Sequence, residues 1–279
     1  MVDDCISSPT DLRMAQVKIA FLIPFSAKFQ HHQNAVAQAK SCFSELPDGV
    51  TVHYLVAEGT SLPDEIRDKS LATPGADGYF QVLKKTMTAI DMVLRDRQPD
   101  FIVRGNSSNY YQIPRIIDFL RVLDCEEYFY GGRKTSVTDE MTPLERDVTY
   151  AGGSGIYLNR AAAAMLLSLP VGAYAGVVDD VAIGDYFQKN GVSLVDLERN
   201  DVTDYEPIKF CLQTRVKSWE SNGRTVKRFE ILDVILKERR HLVRAMRSYF
   251  FFVSELLFLL RKKRLDASVR VSYRFRPLW

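Results

Sequence analysis

Apolar residues in the first half of the chain form short continuous runs that alternate with segments of helical spacing. The runs are rich in β-branched and aromatic residues, which is typical of strands buried on both faces. The predicted strands are 17–25, 50–57 and 100–104, and the predicted helices are 35–46, 79–95 and 113–123. A Pro- and Gly-rich loop is predicted at 59–78. This β-α-β-α-β order predicts an α/β fold with a parallel sheet.

The predicted topology also indicates where a ligand would bind. Ligands of such sheets bind beyond the carboxyl ends of the strands. We therefore expect the binding loops at Pro24–Lys28, Ala57–Gly59 and Arg104–Asn109.

The second half of the chain is less regular. Residues 126–132, EEYFYGG, predict a strand that ends in a Gly pair. Residues 149–170 predict a Gly-rich turn followed by a helix capped by Asn159. Residues 176–192 place two adjacent carboxylates just before another helix, and 224–264 are predicted to be mostly helical.

Charge is distributed unevenly along the chain. Residues 211–279 hold 17 Lys and Arg against 6 Asp and Glu, whereas the preceding residues hold 20 against 29. An acidic body with a basic tail suggests that the tail meets an anionic partner or forms a solvated helix face. We predict a lead-in at 1–16, an α/β domain at 17–220 and a basic helical appendage at 221–279.

Within the appendage, the apolar block 248–260 is flanked by Arg and Lys and is too short to span a bilayer. This pattern fits a helix that lies in an anionic membrane interface. Packing on the body or on a second copy is an equal alternative. Nucleic acid is disfavoured, because no aromatic residues alternate with the basic ones and no reader motif is present.

The cysteines and the N-terminus indicate a cytoplasmic protein. Four scattered cysteines show no CxxC spacing, which favours reduced thiols over a zinc or redox site. The first 16 residues lack the basic and apolar regions of a signal peptide.

Three segments in the middle of the chain carry a family resemblance. They are YGG, then YAGGSGIYLNR, then DDVAIGDYFQKNGV, in that order. Together they resemble the β-1,3-galactosyltransferases and Fringe-like glycosyltransferases over about residues 17–217. The resemblance implies a GT-A-like, Rossmann-type mixed sheet flanked by helices, which binds a nucleotide-sugar donor and a glycan acceptor.

One motif of that family is missing. In the family, a strand like DFIVR runs into a DxD turn that holds a divalent metal on the donor diphosphate. Here the matching turn is Gly105-Asn106-Ser107-Ser108, whose neutral oxygens are weak ligands for hard cations. No metal ligands and no cofactor are therefore assigned, and Mn²⁺ or Mg²⁺ lacks the support of a DxD. Asn106, Ser107 and Ser108 are expected to form hydrogen bonds with the donor instead.

Without a metal, cationic side chains are expected to offset the charge of the leaving diphosphate. The candidates are Arg104 at the end of its strand, and Arg215 with Lys217 in a later strand-like segment. Surface charges on an edge strand are the alternative for the last two. Pro24 and Lys85 complete the predicted donor-binding residues.

The resemblance assigns the acid–base chemistry to Asp180, as the base that deprotonates the acceptor hydroxyl, and to Asp179, as its neighbour that positions the acceptor or a loop. The alternative is that both acids only favour the start of a helix. Gly152, Gly153 and Gly155 are predicted to let the backbone approach a sugar on the acceptor side, or to form a tight turn. His31 and His32 begin a helix near the donor loop, where solvent exposure is favoured over contact with a nucleotide.

The sequence thus predicts a hexosyltransferase that acts from a nucleotide sugar, with a UDP-sugar favoured, on a glycan or lipid-linked oligosaccharide. Inversion is the outcome that the resemblance implies, although the sequence leaves the stereochemistry open. The location is expected to be cytoplasmic, with the appendage on the inner face of a membrane. The alternative is a non-catalytic nucleotide- or sugar-binding protein, or a scaffold, that kept the fold. Loss of the DxD favours that alternative, and the paired acids disfavour it.

Overall fold

The computed structural model describes residues 16–27, 29–123, 127–201 and 212–216, together with Phe229. The lead-in predicted at 1–16 lies outside these residues except for Gln16. The helical basic appendage lies outside them except for Phe229, and Lys217 also falls outside. Among the described residues, no helix is long and apolar enough to cross a bilayer.

The described strands are β1 (Ile19–Pro24), β2 (Val50–Ala57), β3 (Ser70–Thr73), β4 (Phe101–Gly105), β5 (Asn109–Tyr111), β6 (Tyr130–Val137), β7 (Val148–Asn159), β8 (Leu194–Asp196), β9 (Asn200–Asp201) and β10 (Gln213–Arg215). The described α-helices are α1 (Phe29–Lys40), α2 (Asp64–Arg67), α3 (Val82–Asp96), α4 (Ile113–Arg121), α5 (Arg160–Leu166) and α6 (Asp179–Lys189). Short 3₁₀ turns occur at Tyr79–Gln81, Asp139–Met141 and Val171–Tyr174.

Seven of these strands form one mixed sheet in the order β3-β2-β1-β4-β7-β6-β8. The pairs β3–β2, β2–β1, β1–β4 and β6–β8 are parallel, whereas β7 runs antiparallel to both β4 and β6. A smaller sheet has the order β5-β10-β9. The predicted α/β fold, a mixed sheet flanked by helices, is confirmed for the described residues.

The central strand β1 is buried because helices or loops cover both faces of the sheet. On one face, Ala20 and Leu22 belong to a hydrophobic core that includes buried residues of α3, α5 and α6. On the other face, the Phe21 ring packs against the rings of Phe43 and Tyr111, with centroids 5.2 and 5.3 Å away. Each fully buried side chain of this size contributes about 1.5–3 kcal/mol of hydrophobic free energy.

Several sequence predictions fail in detail. The region 59–78, predicted as a loop, contains α2 and the edge strand β3. Helix α1 begins earlier than predicted and ends at Lys40. Cys42 and Phe43 continue the apolar spacing and are buried, but they lie in hydrogen-bonded turns after the helix. Strand β6 continues past its Gly pair to Val137.

The Gly-rich segment before Asn159 is a strand and not the predicted turn. It forms part of β7, which pairs with β4 on one side and β6 on the other. The prediction that Asn159 caps the next helix is confirmed, because its Oδ1 accepts a hydrogen bond of 2.9 Å from the Ala162 N–H.

Candidate active site

A cavity of about 210 Å³ opens at the carboxyl ends of β1 and β4. This is the edge of a parallel α/β sheet at which ligands are expected to bind. The cavity brings together six of the residues predicted from the sequence: Pro24, Lys85, Arg104, Asn106, Ser107 and Asp179. Its other lining residues are Phe25, Ser26, His31, Asp77, Gly78, Val82 and Gly105.

Two buried cations line the cavity, and each is paired with a carboxylate that also lines it. Lys85 Nζ lies 3.1 Å from Asp77 Oδ1, and Arg104 Nη2 lies 2.5 Å from Asp179 Oδ2. The side chains of Lys85 and Arg104 are only 2% and 7% exposed. Burying a charge costs several kcal/mol unless it is paired. The cavity therefore holds positive charge by keeping a counter-charge beside each cation.

Asp77, the partner of Lys85, was not identified from the sequence. Its Oδ2 accepts a hydrogen bond of 3.1 Å from the Ala27 N–H, which ties the loop after β3 to the loop after β1. Burial raises the pKa of Asp77, but hydrogen bonds from Lys85, the Ala27 N–H and Ser26 outweigh it, so that the pKa lies below its ordinary value. The only signal in the sequence was an acid in a loop at the ligand-binding edge.

The turn that replaces the DxD motif is fixed by its own side chains. Asn106 Oδ1 accepts hydrogen bonds from the Ser108 N–H at 2.9 Å and from Ser108 Oγ at 2.8 Å. Asn106 Oδ1 and Ser108 thus serve first to shape the turn. Ser107, between them, lines the cavity.

Two buried side chains, those of Gln38 and Tyr111, form hydrogen bonds with the backbone of the same turn. Gln38 Nε2 donates to the carbonyl oxygens of Asn106 and Asn109, at 3.0 and 2.7 Å. The Tyr111 hydroxyl accepts from the Asn106 N–H at 2.9 Å and donates to the Ser154 carbonyl oxygen at 2.8 Å. The turn therefore has a defined shape before any ligand binds.

Asp179 and Asp180 form the first turn of α6, and their carboxylates have different surroundings. Asp179 is buried. Burial raises its pKa most, the charge of Arg104 lowers it and the charge of Asp180 raises it, and the net result is a pKa of about 6. Asp180 is half-buried, and its Oδ2 accepts a hydrogen bond of 2.8 Å from the Gly153 N–H. The residue before the helix is Val178, which provides no side-chain cap. Both acids do lie at the favourable end of the helix dipole.

The predicted acceptor-side glycines lie in a bulge of β7. Between the pairs Gly132↔Ile156 and Lys134↔Ala151, the four residues Gly152–Gly155 face the single residue Arg133 of β6. Such extra residues bend a strand and redirect its groups.

Each of these three glycines has a different neighbour. The Gly153 carbonyl oxygen accepts a hydrogen bond from Arg104 Nη1 and the Gly153 N–H donates to Asp180, so this residue links the two side chains. A Cβ on Gly155 would lie 2.1 Å from Gln213 Oε1, and one on Gly152 would lie 3.2 Å from Thr135 Oγ1. Of the three, Gly153 is the one that forms hydrogen bonds with Arg104 and Asp180.

Arg215 and His31 differ in their position relative to the cavity. Arg215 is half-buried in β10, in register with Asn109 of β5, and is not among the described residues that line the cavity. His31, predicted to face solvent, does line it. Arg199, which no sequence signal marked, donates from Nη1 to Ser154 Oγ at 2.5 Å in the bulge.

Among the described residues, no three or more His, Cys, Asp or Glu side chains come together as a metal-binding cluster. The carboxylates of Asp77 and Asp179 in the cavity are each paired with a buried cation. The absence of metal dependence stays a prediction.

Comparison with solved structures gives distant likenesses. No family model matches the chain, and no curated protein matches it. A mannosyltransferase from Pyrobaculum calidifontis, solved with GDP-mannose and Mn²⁺, is 11% identical with a TM-score of 0.47, over 84% of this chain and 66% of that one. A glycosyltransferase involved in glycosylation of the major capsid of PBCV-1 is 10% identical with a TM-score of 0.43, over 76% of this chain and 99% of that one.

Both solved structures are glycosyltransferases, and both TM-scores are below 0.5. At this distance the likeness assigns no residue, donor or acceptor to this chain. The more specific prediction, a β-1,3-galactosyltransferase or Fringe-like relative, stays a prediction.

Proposed function

We propose that this chain is a glycosyltransferase that moves a hexosyl group from a nucleotide sugar to an acceptor hydroxyl. The observation that carries the proposal is the cavity at the carboxyl ends of β1 and β4, where two buried cations lie beside the acidic first turn of α6. A diphosphate needs positive charge, and deprotonation of a hydroxyl needs a carboxylate. The cavity and the adjoining helix supply both within one site.

Lys85 and Arg104 are the groups proposed to face the donor diphosphate. As the sugar–phosphate bond breaks, the bonding electron pair leaves with the diphosphate, and fixed cations stabilise that developing charge. Because both side chains are almost fully buried, water screens them little. Their positions in the cavity favour them over Arg215 for this role.

Asp180 is the proposed general base. Its carboxylate takes the proton of the acceptor hydroxyl while the acceptor oxygen forms a bond to the anomeric carbon, and attack opposite the leaving group inverts that carbon. Two observations support the assignment: Asp180 is half-buried and so can meet an acceptor, and the Gly153 N–H fixes its orientation.

The substrates and the location are proposed more broadly. A UDP-sugar donor and a glycan or lipid-linked acceptor follow from the motif resemblance. Action at the inner face of a membrane follows from the basic tail.

The proposal is tested by binding and then by turnover. A thermal-shift screen with UDP, GDP, CDP, dTDP and their sugars is run with EDTA and again with manganese, because a ligand of the native state raises the melting temperature. We expect stabilisation that survives EDTA and is lost in Arg104→Met. Stabilisation that appears only with manganese would contradict the proposed role of Lys85 and Arg104.

Turnover separates the enzyme from a binding protein. We expect Asp180→Asn to bind the donor but to transfer sugar about 10²–10⁴-fold more slowly, because it lacks the base. Asp118→Asn, with a side chain that is 74% exposed on α4, is the matched control and should be fully active. Donor binding by the unaltered protein without transfer to any glycan acceptor, and without donor hydrolysis, would favour the non-catalytic alternative.

A further inference from the structure

The two ion pairs of the cavity are not equivalent. The Asp77 side chain is 33% exposed, and its hydrogen bonds lower its pKa, so it keeps its charge at neutral pH. The Asp179 side chain is 9% exposed, and burial together with Asp180 raises its pKa to about 6. Asp179 is therefore the acid of the two that a small change in charge nearby would convert to its neutral form.

Arg104 is placed to bring such a change about. Its Nη2 faces Asp179 and its Nη1 donates to Gly153, while its buried Nε has no hydrogen-bond partner among the described residues. A buried N–H without a partner is costly, and a ligand oxygen would satisfy it. An anion bound there would share the guanidinium with the Asp179 carboxylate.

We propose that Asp179 takes up a proton when an anionic donor binds Arg104, so that binding of the donor is coupled to protonation. The inference rests on the proposed function, because it takes the ligand to be a nucleotide diphosphate ester. Two anions beside one cation oppose each other's charge. A proton on Asp179 relieves that repulsion and provides an O–H that can donate to a ligand oxygen.

Two charged groups act directly on Asp179, namely Arg104 from β4 and Asp180 from α6. Three other ionisable side chains line the same cavity: Lys85 from α3, Asp77 from the loop before α3 and His31 from α1. Among these side chains, His31 is the competing candidate, because histidine is the residue type that most readily changes charge near neutral pH. Protonation of His31 would favour an anion in the same direction, so the test must separate the two residues.

The expected effect follows from proton linkage. If the ligand makes Asp179 a tenfold weaker acid than in the free protein, binding becomes about fivefold tighter at about pH 6 than at about pH 8. A larger change in acidity gives a larger ratio. If the ligand leaves the acidity of Asp179 unchanged, the ratio is about one.

The experiment is calorimetric titration with UDP-glucose and GDP-mannose, whose diphosphate diesters keep a constant charge over this pH range. We expect at least fivefold tighter binding at the lower pH, and net proton uptake near pH 7 when buffers of different ionisation heat are compared. Asp179→Asn should abolish both effects. His31→Gln and the exposed-site variant Asp118→Asn are the controls and should keep them.

The proton count on the unaltered protein keeps the test decisive if Asp179→Asn fails to fold. Binding without proton uptake, uptake that persists in Asp179→Asn, or uptake that is lost in His31→Gln would each overturn the inference. All three outcomes would leave the proposed function standing. Failure of both nucleotide sugars and of inorganic pyrophosphate to bind at either pH would overturn both.

Discussion

At the scale of single residues, Gly153 lies between a cation and a carboxylate of the site. A Cβ at this position would lie 2.8 Å from Arg104 Nη1 and 2.9 Å from Asp180 Oδ2. Those distances leave no room for a methyl group unless one of the two side chains moves. The absence of a side chain here is what allows the cation, the peptide and the carboxylate to meet.

We predict that Gly153→Ala lowers sugar transfer by about a hundredfold, because displacement of a catalytic group by about 1 Å has a cost of that size. The melting temperature should change little, since Gly153 is half-buried and both displaced groups are the ends of flexible side chains. Gly172→Ala is the control, because a Cβ there has no atom within 4 Å. Equal kcat/KM for the two variants would contradict the prediction.

Gln38 is a second single residue that supports the site, although it is not among the residues that line the cavity. It is fully buried, and its amide satisfies two carbonyl oxygens of the turn at 105–109. We predict that Gln38→Leu lowers the free energy of unfolding by about 2 kcal/mol, because both oxygens lose a partner.

Donor affinity should fall together with stability in Gln38→Leu, since the turn loses its support, and calorimetry with chemical denaturation measures both. The half-buried Gln33 on the same helix provides the control substitution, Gln33→Leu. A Gln38→Leu protein with unchanged donor affinity would show that the turn keeps its shape without the amide.

At the scale of elements, helix α6 is positioned by its close approach to β7. A Cβ on Gly184 would lie 2.3 Å from Tyr150 Cβ and 3.1 Å from the Thr149 carbonyl oxygen. We predict that Gly184→Ala destabilises the protein by about 1–3 kcal/mol through overpacking. It should also lower activity, because α6 carries Asp179 and Asp180. Denaturation and kcat/KM are the measurements, and a stable, fully active variant would contradict the prediction.

A second set of contacts anchors α6 at the next residue, Asp185. Asp185 is buried and accepts hydrogen bonds from Arg146 at 2.6 and 2.8 Å and from Tyr174 at 2.7 Å, with Lys189 Nζ 3.1 Å away. Burial raises the pKa of Asp185, but these partners outweigh it and bring the pKa to about 2. The carboxylate therefore stabilises the fold above the pKa it has in the unfolded chain, and loses that effect as pH falls from about 4 to about 2.

We predict that Asp185→Asn lowers the free energy of unfolding at neutral pH by about 2 kcal/mol, with the deficit shrinking toward about pH 2. Urea denaturation across this range measures the difference between the variant and the unaltered protein. Asp139→Asn, on the exposed 3₁₀ turn, is the control. A deficit that does not change with pH would mean that Asp185 contributes through shape and not through charge.

Sequence patterns predicted those helices and strands whose own residues carry a clear apolar pattern. The buried strands β1, β2 and β4 are continuous apolar runs, and α3 has a clear apolar face, so their spacing is informative. The strand β7 was missed because three glycines in four residues resemble a turn. What makes the segment a strand is pairing with β4 and β6, which the local sequence does not record.

The site follows the same rule. Arg104, Asp179 and the turn at 105–108 were found because they lie within recognisable motifs. Asp77 and Gln38 were missed because their roles depend on contacts with residues far along the chain: Ala27 is 50 positions from Asp77, and Asn109 is 71 positions from Gln38. Such pairs are brought together by the order of strands in the sheet.

At the scale of the whole molecule, the uneven charge suggests a second surface for binding. Residues 211–279 carry a net charge of +11, from 17 basic and 6 acidic residues. We predict that the full chain co-sediments with vesicles that contain anionic lipid and not with neutral vesicles, and that added salt weakens binding. Changing Arg239, Arg240, Arg244 and Arg247 to Gln should reduce the bound fraction. Pelleting that these four changes leave unaltered would contradict the prediction.

The bulge in β7 separates two strand ladders that each have a fixed register. On one side, Gly155–Asn159 is locked between neighbouring strands; on the other, Val148–Ala151 pairs with β6. Because four residues face one, the path of Gly152–Gly155 can follow its contacts with Arg104 and Asp180 without shifting the register of either ladder.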